Sequence, residues 1–429
     1  MNTPRMMRAL AACAGAALVL TACGGASDKA DSADNGAKSD GTITLTVATF
    51  NEFGYEGLFE EYMAAHPNIK IEHRKAATTT EARDNLNTRL AAGSGLADIE
   101  GVEGGWLPEL MQYPDKFVDL TSPEVADRWL EWKTKPATDK DGRLLGYGTD
   151  AGPVAVCYRS DLFAKAGLPT DRAEVAKLLE GDWDNYFKVG KQFTEATNVP
   201  WFDSVGGVFE IMIAQLPNAF EQADGTPFPL KDNADMKKVY DTLVAQVPLS
   251  AKLTPWTEDW TAAFQKDGFG TMFCPSWMIG VIEGNAKGVA GWDVANVTPG
   301  GGANSGGSFL MVPTQSAHPE EAKALAAWLT APEQQIKAFK NKGTFPSQTK
   351  GLEDPILLEH KSEFFNNAPV GEIFAERAKA VTVVPFAGPN YFAIRGLVGD
   401  ALTRVETAVE DAGKSWEKAL SEYDALGLN

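Results

Sequence analysis

From Thr42 to Thr49 the chain alternates β-branched and apolar residues (TITLTVAT), the two-residue period of a strand. Glu56 to Ala65 changes period. Leu58, Phe59, Tyr62 and Met63 fall on one helical face, and His66-Pro67 ends the run. Ile69 to Glu72 predicts a second short strand. Arg83 to Ala92 predicts a helix, with Leu86 and Leu90 four residues apart and a stop at Gly93-Ser94-Gly95. Ala97 to Val102 predicts a third strand. The order βαβαβ specifies a mostly parallel sheet with helices on both faces. Such sheets bind ligands beyond the carboxyl ends of their strands. The loops of interest are therefore Asn51-Glu52-Phe53-Gly54, Glu103-Gly104-Gly105-Trp106 and Thr149-Asp150-Ala151-Gly152.

Further on, Val154 to Tyr158 reads as a strand and Ser160 to Gly167 as a short helix. Residues 170–290 are helix-rich, with a strand at Phe269 to Phe273. Val294 to Gly307 is rich in glycine, and Phe309 to Val312 is strand-like again. Glu320 to Thr330 predicts a helix opened by Pro319, with Glu320 and Glu321 near its positive end. Tyr391 to Leu420 predicts a helical run. Ile394, Leu397, Val398, Ala401 and Leu402 form its apolar face, and Val405 and Val409 continue it. There is no internal repeat. The 388 residues that follow the first 41 of 429 exceed one hydrophobic core and imply two lobes.

The N-terminus has a different character. Arg5 and Arg8 form a basic region, followed by an apolar run from Leu10 to Leu20. At about eleven residues that run falls short of the roughly twenty needed to span a bilayer. It fits the core of a secretory signal over residues 1–22. Leu20-Thr21-Ala22-Cys23 resembles the lipobox of bacterial lipoproteins, which implies lipidation of Cys23 and membrane attachment by that lipid alone. Residues 24–41 contain no aliphatic side chain larger than Ala and read as a tether. As a coil, about eighteen residues average roughly 20–25 Å. The resulting picture is an extracytoplasmic protein held to the outer face of a cell membrane, and the Ala/Gly/Ser-rich tether fits a Gram-positive surface.

A net charge of −19 argues against nucleic acid or anionic membrane as partners. The four His have no metal-ligand spacing, so no metal or other cofactor is expected. Of the four Cys, Cys13 and Cys23 belong to the leader, while Cys157 and Cys274 lie in strand-like runs. A disulfide and two buried free thiols both fit that setting, and the unpaired reading is preferred. Phosphate-loop, serine-hydrolase and zinc-protease motifs are absent from the sequence.

Five segments, in order, resemble the extracellular solute-binding proteins of family 1, the maltose-binding-like receptors of sugar ABC importers. Leu86 to Asp98 (LNTRLAAGSGLAD) is similar to that family's "laaGsgPD", although Leu96-Ala97 replaces the usual Pro. Gly146 to Leu168 is similar to "yglP…yYNkdlfkkaGl", and Phe264 to Trp277 to "F..GkaAM...g.W". Gly306 to Phe339 resembles the strand and helix that follow in the family, and Thr344-Phe345-Pro346-Ser347 its "g..Ps". The resemblance implies a two-lobe α/β fold of the type II periplasmic-binding-protein class, each lobe a mostly parallel sheet flanked by helices. Lobe 1 would comprise residues 42–153 and 306–350, and lobe 2 residues 154–305 and 351–429. It also implies a monomer that closes on a ligand held between the lobes and is sensed by the transmembrane subunits of an ABC importer.

A sugar offers an apolar face to an aromatic ring and a rim of hydroxyls to carboxylates, amides and Arg. On that criterion the eleven Trp divide. Trp129, Trp132, Trp183, Trp260, Trp328 and Trp416 lie in helix-like runs and read as core, as does Trp292 beside a strand. Trp106, Trp201, Trp256 and Trp277 sit in loops beside Gly or Pro and are candidate platforms. By resemblance, Trp277 and Trp201 fall where the family stacks aromatics on sugar, and Tyr391 and Arg395 match an aromatic-aromatic-x-x-Arg that adds a ring and a donor. Asn51 and Glu52 stand where the family has polar contacts to hydroxyls. Glu103 accompanies Trp106, Asp150 either meets ligand or braces the crossover, and Gly306 and Gly307 allow close backbone approach. An oligosaccharide is expected, with a cello-oligosaccharide the first candidate. Two rivals are a same-fold receptor for a charged molecule such as a phosphate ester, and a glycoside hydrolase using Glu52, Glu103 or Asp150. Arg395 is the one cation placed in the cleft loops, and no catalytic motif supports the hydrolase, so a non-enzymatic sugar receptor is the preferred reading.

Overall fold

In the computed structural model the described residues are 41–428, and residues from 42 onward form one compact unit. The signal, lipobox and tether readings, with Cys23, lie outside the described residues.

Among the described residues eight strands form two sheets. They are β1 (Ile43–Phe50), β2 (Ile69–Ala76), β3 (Ile99–Glu103), β4 (Tyr147–Gly148), β5 (Val154–Arg159), β6 (Thr271–Pro275), β7 (Trp292–Ala295) and β8 (Ser308–Met311). The first sheet has the order β2-β1-β3-β8-β4 and the second β6-β5-β7. β1 runs parallel to β2 and β3, as the βαβαβ pattern requires, while β8 is antiparallel to both its neighbours. β8 arrives from the second sheet, so it enters the first from the opposite end. The second sheet is antiparallel throughout, because β5 runs against both β6 and β7. The expectation of a mostly parallel sheet in each lobe is corrected there.

Local chemistry explains the helices that frame the first sheet. Thr78 caps the helix Thr79–Ala92 by accepting from the Glu81 amide at 3.1 Å, and Gly93 ends it at φ +69°. Pro319 opens Pro319–Leu329 with Glu320 and Glu321 in its first turn. The single helical run expected from Tyr391 to Leu420 is instead two helices, Tyr391–Glu406 and Ala412–Ala425. Ala408 adopts φ +58°, Val409 is exposed, and Asp411 caps the second helix at the Lys414 amide.

Two segments carry the chain between the sheets. One joins β4 to β5, where Asp150 bridges to Pro346 and Pro153 to Asn304. The other joins β7 to β8 through 296–307. They pass so closely that a Cβ at Gly152 would stand 1.9 Å from the Ser305 carbonyl oxygen, which makes glycine obligatory. The core follows the same division. Leu45, Val47, Ile99 and Leu310 are buried in the first sheet, and Val154, Val156 and Tyr158 in the second.

Cys157 and Cys274 are joined by a disulfide, correcting the unpaired reading. Their strands are antiparallel neighbours, with Cys157 opposite Met272 and Cys274 opposite Ala155. The two side chains therefore share a face, two residues apart, with Cα atoms separated by 5.8 Å.

Candidate ligand-binding site

Two cavities open where the carboxyl ends of the first sheet's parallel strands face the segments after β6 and around the helix Tyr391–Glu406. The larger has a volume of about 1280 Å³ and the smaller about 890 Å³. Glu103, Trp277 and Gly306 line both, so the two are chambers of one cleft with these residues at the divide.

Trp277 lies two residues beyond β6 and holds the N-cap position of the helix Met278–Asn285. Its Nε1 donates to the Ser305 carbonyl at 2.9 Å, which fixes the ring. Side chains at Gly152 or Gly306 would crowd that indole, standing 3.0 and 3.1 Å from Nε1. Gly306 and Gly307 have φ of +83° and +97°, so the backbone itself forms the cleft wall. Trp256 lies beside Trp277, with ring centres 6.1 Å apart and planes 20° apart. Trp256 is 63% exposed and sits at φ +70°, a region that costs a bulky residue backbone strain. An exposed indole held in a strained conformation next to a second, fixed indole forms a flat platform on the smaller chamber.

The polar groups converge from the strand ends. Glu103 closes β3 and accepts from the Gly105 amide at 2.9 Å. Burial raises its carboxyl above the usual range despite that bond. Asp150 accepts from the Ser308 amide at 2.7 Å and from the Thr149 hydroxyl at 2.8 Å, so it both braces the crossover and lines the smaller chamber. Asn51 and Glu52 line that chamber from the end of β1. Glu52 pairs with Lys75 at 2.8 Å and Lys342 at 3.3 Å, and the bond from Lys75 lowers its carboxyl. Tyr391 and Arg395 line the larger chamber from the last but one helix. Arg395 is met by both Glu210 oxygens, at 2.6 and 3.0 Å. Burial, with the Glu210 charge behind it, pushes the Tyr391 hydroxyl up to about 12, so it stays a neutral donor. Glu221 anchors this region. Its buried carboxylate accepts from the Gly388 and Asn390 amides at 2.8 and 3.0 Å, at the start of the helix that carries Tyr391.

Two expected platforms are placed elsewhere. Trp201 is fully buried in the second sheet's core against Phe163, Tyr186 and Phe193, and its indole fills the space left by Gly190. Trp106 is buried against Phe50 in the turn Gly104–Trp106, so that turn offers the cleft its backbone and Glu103 rather than the indole. Four residues that line the cleft were passed over by the sequence reading. Trp132, assigned to core, donates to the Ala378 carbonyl at 3.1 Å and lines the larger chamber, as do Lys133 and Phe392, while Tyr55 lines the smaller. Phe392 had a signal, since it adjoins Tyr391 in the aromatic pair. Lys133 and Tyr55 had none in spacing or composition. Among the described residues no group of His, Cys, Asp and Glu could hold a metal ion.

Two α/β lobes joined by crossing segments, with a deep cleft lined by both, define the type II class of periplasmic binding protein. The chain belongs to the bacterial extracellular solute-binding protein family, whose sequence model matches residues 57–366. A crystal structure of an extracellular solute-binding protein of family 1 is 49% identical, covers 90% of this chain and 100% of its own, and superposes with a TM-score of 0.87. The arabinooligosaccharide-binding protein of Bacillus subtilis (strain 168) is 25% identical over 326 residues, which is 71% of this chain and 72% of that protein. The ABC-transporter-associated binding protein of B. animalis subsp. lactis Bl-04, solved with β-1,6-galactobiose, shares the fold at 21% identity. It covers 90% of this chain and 97% of its own, with a TM-score of 0.69. No described helix is long and apolar enough to cross a membrane.

Proposed function

We propose that this protein is the extracytoplasmic receptor of an ABC importer, anchored through Cys23, and that it captures an uncharged oligosaccharide by closing its lobes. The observation that carries the reading is the Trp256–Trp277 platform beside Glu103 and Asp150. It is a flat apolar surface next to hydroxyl-binding carboxylates, as one sugar ring requires. A cleft of two chambers, each large enough for a ligand of drug size, favours several rings over one. The named substrate of the Bacillus relative and the disaccharide bound to the bifidobacterial neighbour point the same way. The charged-ligand reading is weaker, because Arg395 already has a full carboxylate partner in Glu210. Hydrolysis is disfavoured by membership in a receptor family.

Tryptophan fluorescence of residues 41–429, titrated with cello-, arabino- and galacto-oligosaccharides of two to four rings, tests this. A saturable change is expected with one linkage class, and Trp277→Ala should weaken it at least tenfold. Silence from every sugar, with calorimetry also flat, would overturn the carbohydrate reading.

A further inference from the structure

The cleft is lined by polar groups with no hydrogen-bond partner among the described residues, among them the Lys133 ammonium and the buried hydroxyls of Tyr55 and Thr344. Lys133 is 3% exposed, and its ammonium makes neither a hydrogen bond nor an ion pair. Its one close contact is the ring of Phe309, 3.8 Å from Nζ, and both residues line the larger chamber. The Tyr55 hydroxyl, on the wall of the smaller chamber, is likewise buried and unpartnered. A buried ammonium without acceptors is among the more costly groups a fold can hold. Carboxylates are near. Glu103, at the end of β3, and Asp150, in the crossing segment, both act on Lys133 electrostatically, yet neither forms an ion pair with it. The backbone packs closely beside this ammonium. A Cβ at Gly307 would stand 3.0 Å from Lys133 Nζ and 2.8 Å from the Asp150 carbonyl oxygen. The fold thus holds a donor and two acceptors on the walls of the two chambers, near their divide, without pairing them.

We propose that Lys133 is a specificity-determining residue of the cleft, whose ammonium donates to oxygens of an uncharged polyhydroxylated ligand while the same ligand's hydroxyls donate to Glu103 and Asp150. This rests on the oligosaccharide reading and narrows it. A hydroxyl accepts from an ammonium and donates to a carboxylate at once, so it fits between them. A ligand anion does not fit. Lys133 faces two carboxylates, and the charge of Arg395 is spent on Glu210. The platform supplies sugar-face contact, and Lys133 selects which hydroxyl pattern is accepted at the divide between chambers.

The test compares wild type with Lys133→Met, using the oligosaccharide that wild type binds best, by fluorescence titration and by thermal melting without ligand. Affinity should fall about 10- to 100-fold, the worth of hydrogen bonds to a charged group. The ligand-free melting temperature should hold or rise, because an unpaired buried charge is removed. Affinity within threefold of wild type overturns the proposal. So does a joint loss of affinity and melting temperature, which marks a structural lysine. If Lys133→Met does not fold, wild-type affinity between pH 7 and 10 decides. Burial brings the Lys133 ammonium down to about 8, while burial raises the Tyr55 hydroxyl well above its ordinary range and takes that of Tyr391 to about 12. The facing carboxylates are Glu103 and Asp150, and Arg395 is held charged against burial by Glu210. The dissociation constant should rise up to about tenfold per pH unit above 8, and a flat profile overturns the proposal. Failure of wild type to bind any sugar removes the oligosaccharide reading, and this inference falls with it.

Discussion

At the scale of single residues the cleft holds groups that cost the fold stability. Trp256 is the clearest case. It holds a bulky side chain at φ +70° and leaves 63% of it exposed, so it gains little from burial for the strain it bears. Its tilted contact with Trp260 at 5.1 Å and its stacking alongside Trp277 return part of that cost. Trp256→Gly removes both the strain and the ring. Folding stability should therefore change by less than about 1 kcal/mol, while affinity for the oligosaccharide falls at least tenfold. Urea denaturation beside a binding titration separates the two effects. A large stability loss would show that Trp256 is a core residue after all, and the platform would then reduce to Trp277.

Between residues and the whole molecule, the elements show which features can be read from a chain. β1, β2 and β3 were legible because their apolar periods, the helices between them and the Gly93 stop all agree. Trp277 was placed at the cleft by resemblance, and the structure sets it two residues beyond β6, at the start of a helix. Trp201 was misread because a loop position beside Pro200 says nothing of Gly190, eleven residues away, whose missing side chain admits the indole to the core. Lys133 was invisible for a related reason. Only the three-dimensional position of Gly148 and Gly307 distinguishes it from surface lysines, since a Cβ at either would meet its side chain. The disulfide depends on which strands pair, and an antiparallel β5–β6 register lies beyond local sequence. That bond closes a separation of 117 residues. By chain entropy, replacing both Cys157 and Cys274 with Ala should cost about 2–5 kcal/mol, measured by denaturation. Sugar affinity should stay within a few-fold, because neither sulfur lines the cleft. A loss under about 1 kcal/mol would mean that the antiparallel register alone holds β5 to β6.

For the molecule as a whole, two buried charges on opposite sides of neutrality make stability depend on pH. Glu100 lies in β3 with its carboxyl buried, accepting from the Ala97 amide at 2.7 Å. Burial lifts it from 4.5 to about 7. The folded state therefore binds the extra proton. That stabilisation is full below about 4.5 and is lost as pH rises through about 7. Lys133 works in the other direction. Burial lowers it from 10.5 to about 8, so its penalty is absent above 10.5 and is felt in full as pH falls through 8. Each shift is worth on the order of 3 kcal/mol. Near pH 7.5 the fold bears both penalties at once. Denaturation curves at fixed pH, taken as differences between wild type and variant, isolate each contribution from the many other acids. Glu100→Gln should gain stability over wild type progressively from pH 5 to 8 and then hold that gain. Lys133→Met should show its gain below pH 8 and lose it towards 10.5. Glu100 lies outside both chambers, so its variant should bind sugar as wild type does, while Lys133→Met should not. Two gains of similar size at pH 7.5, only one of them at the expense of affinity, would separate a charge buried by the architecture of β3 from one kept in the cleft for its ligand. Equal affinity in both variants would assign Lys133 to the architecture as well.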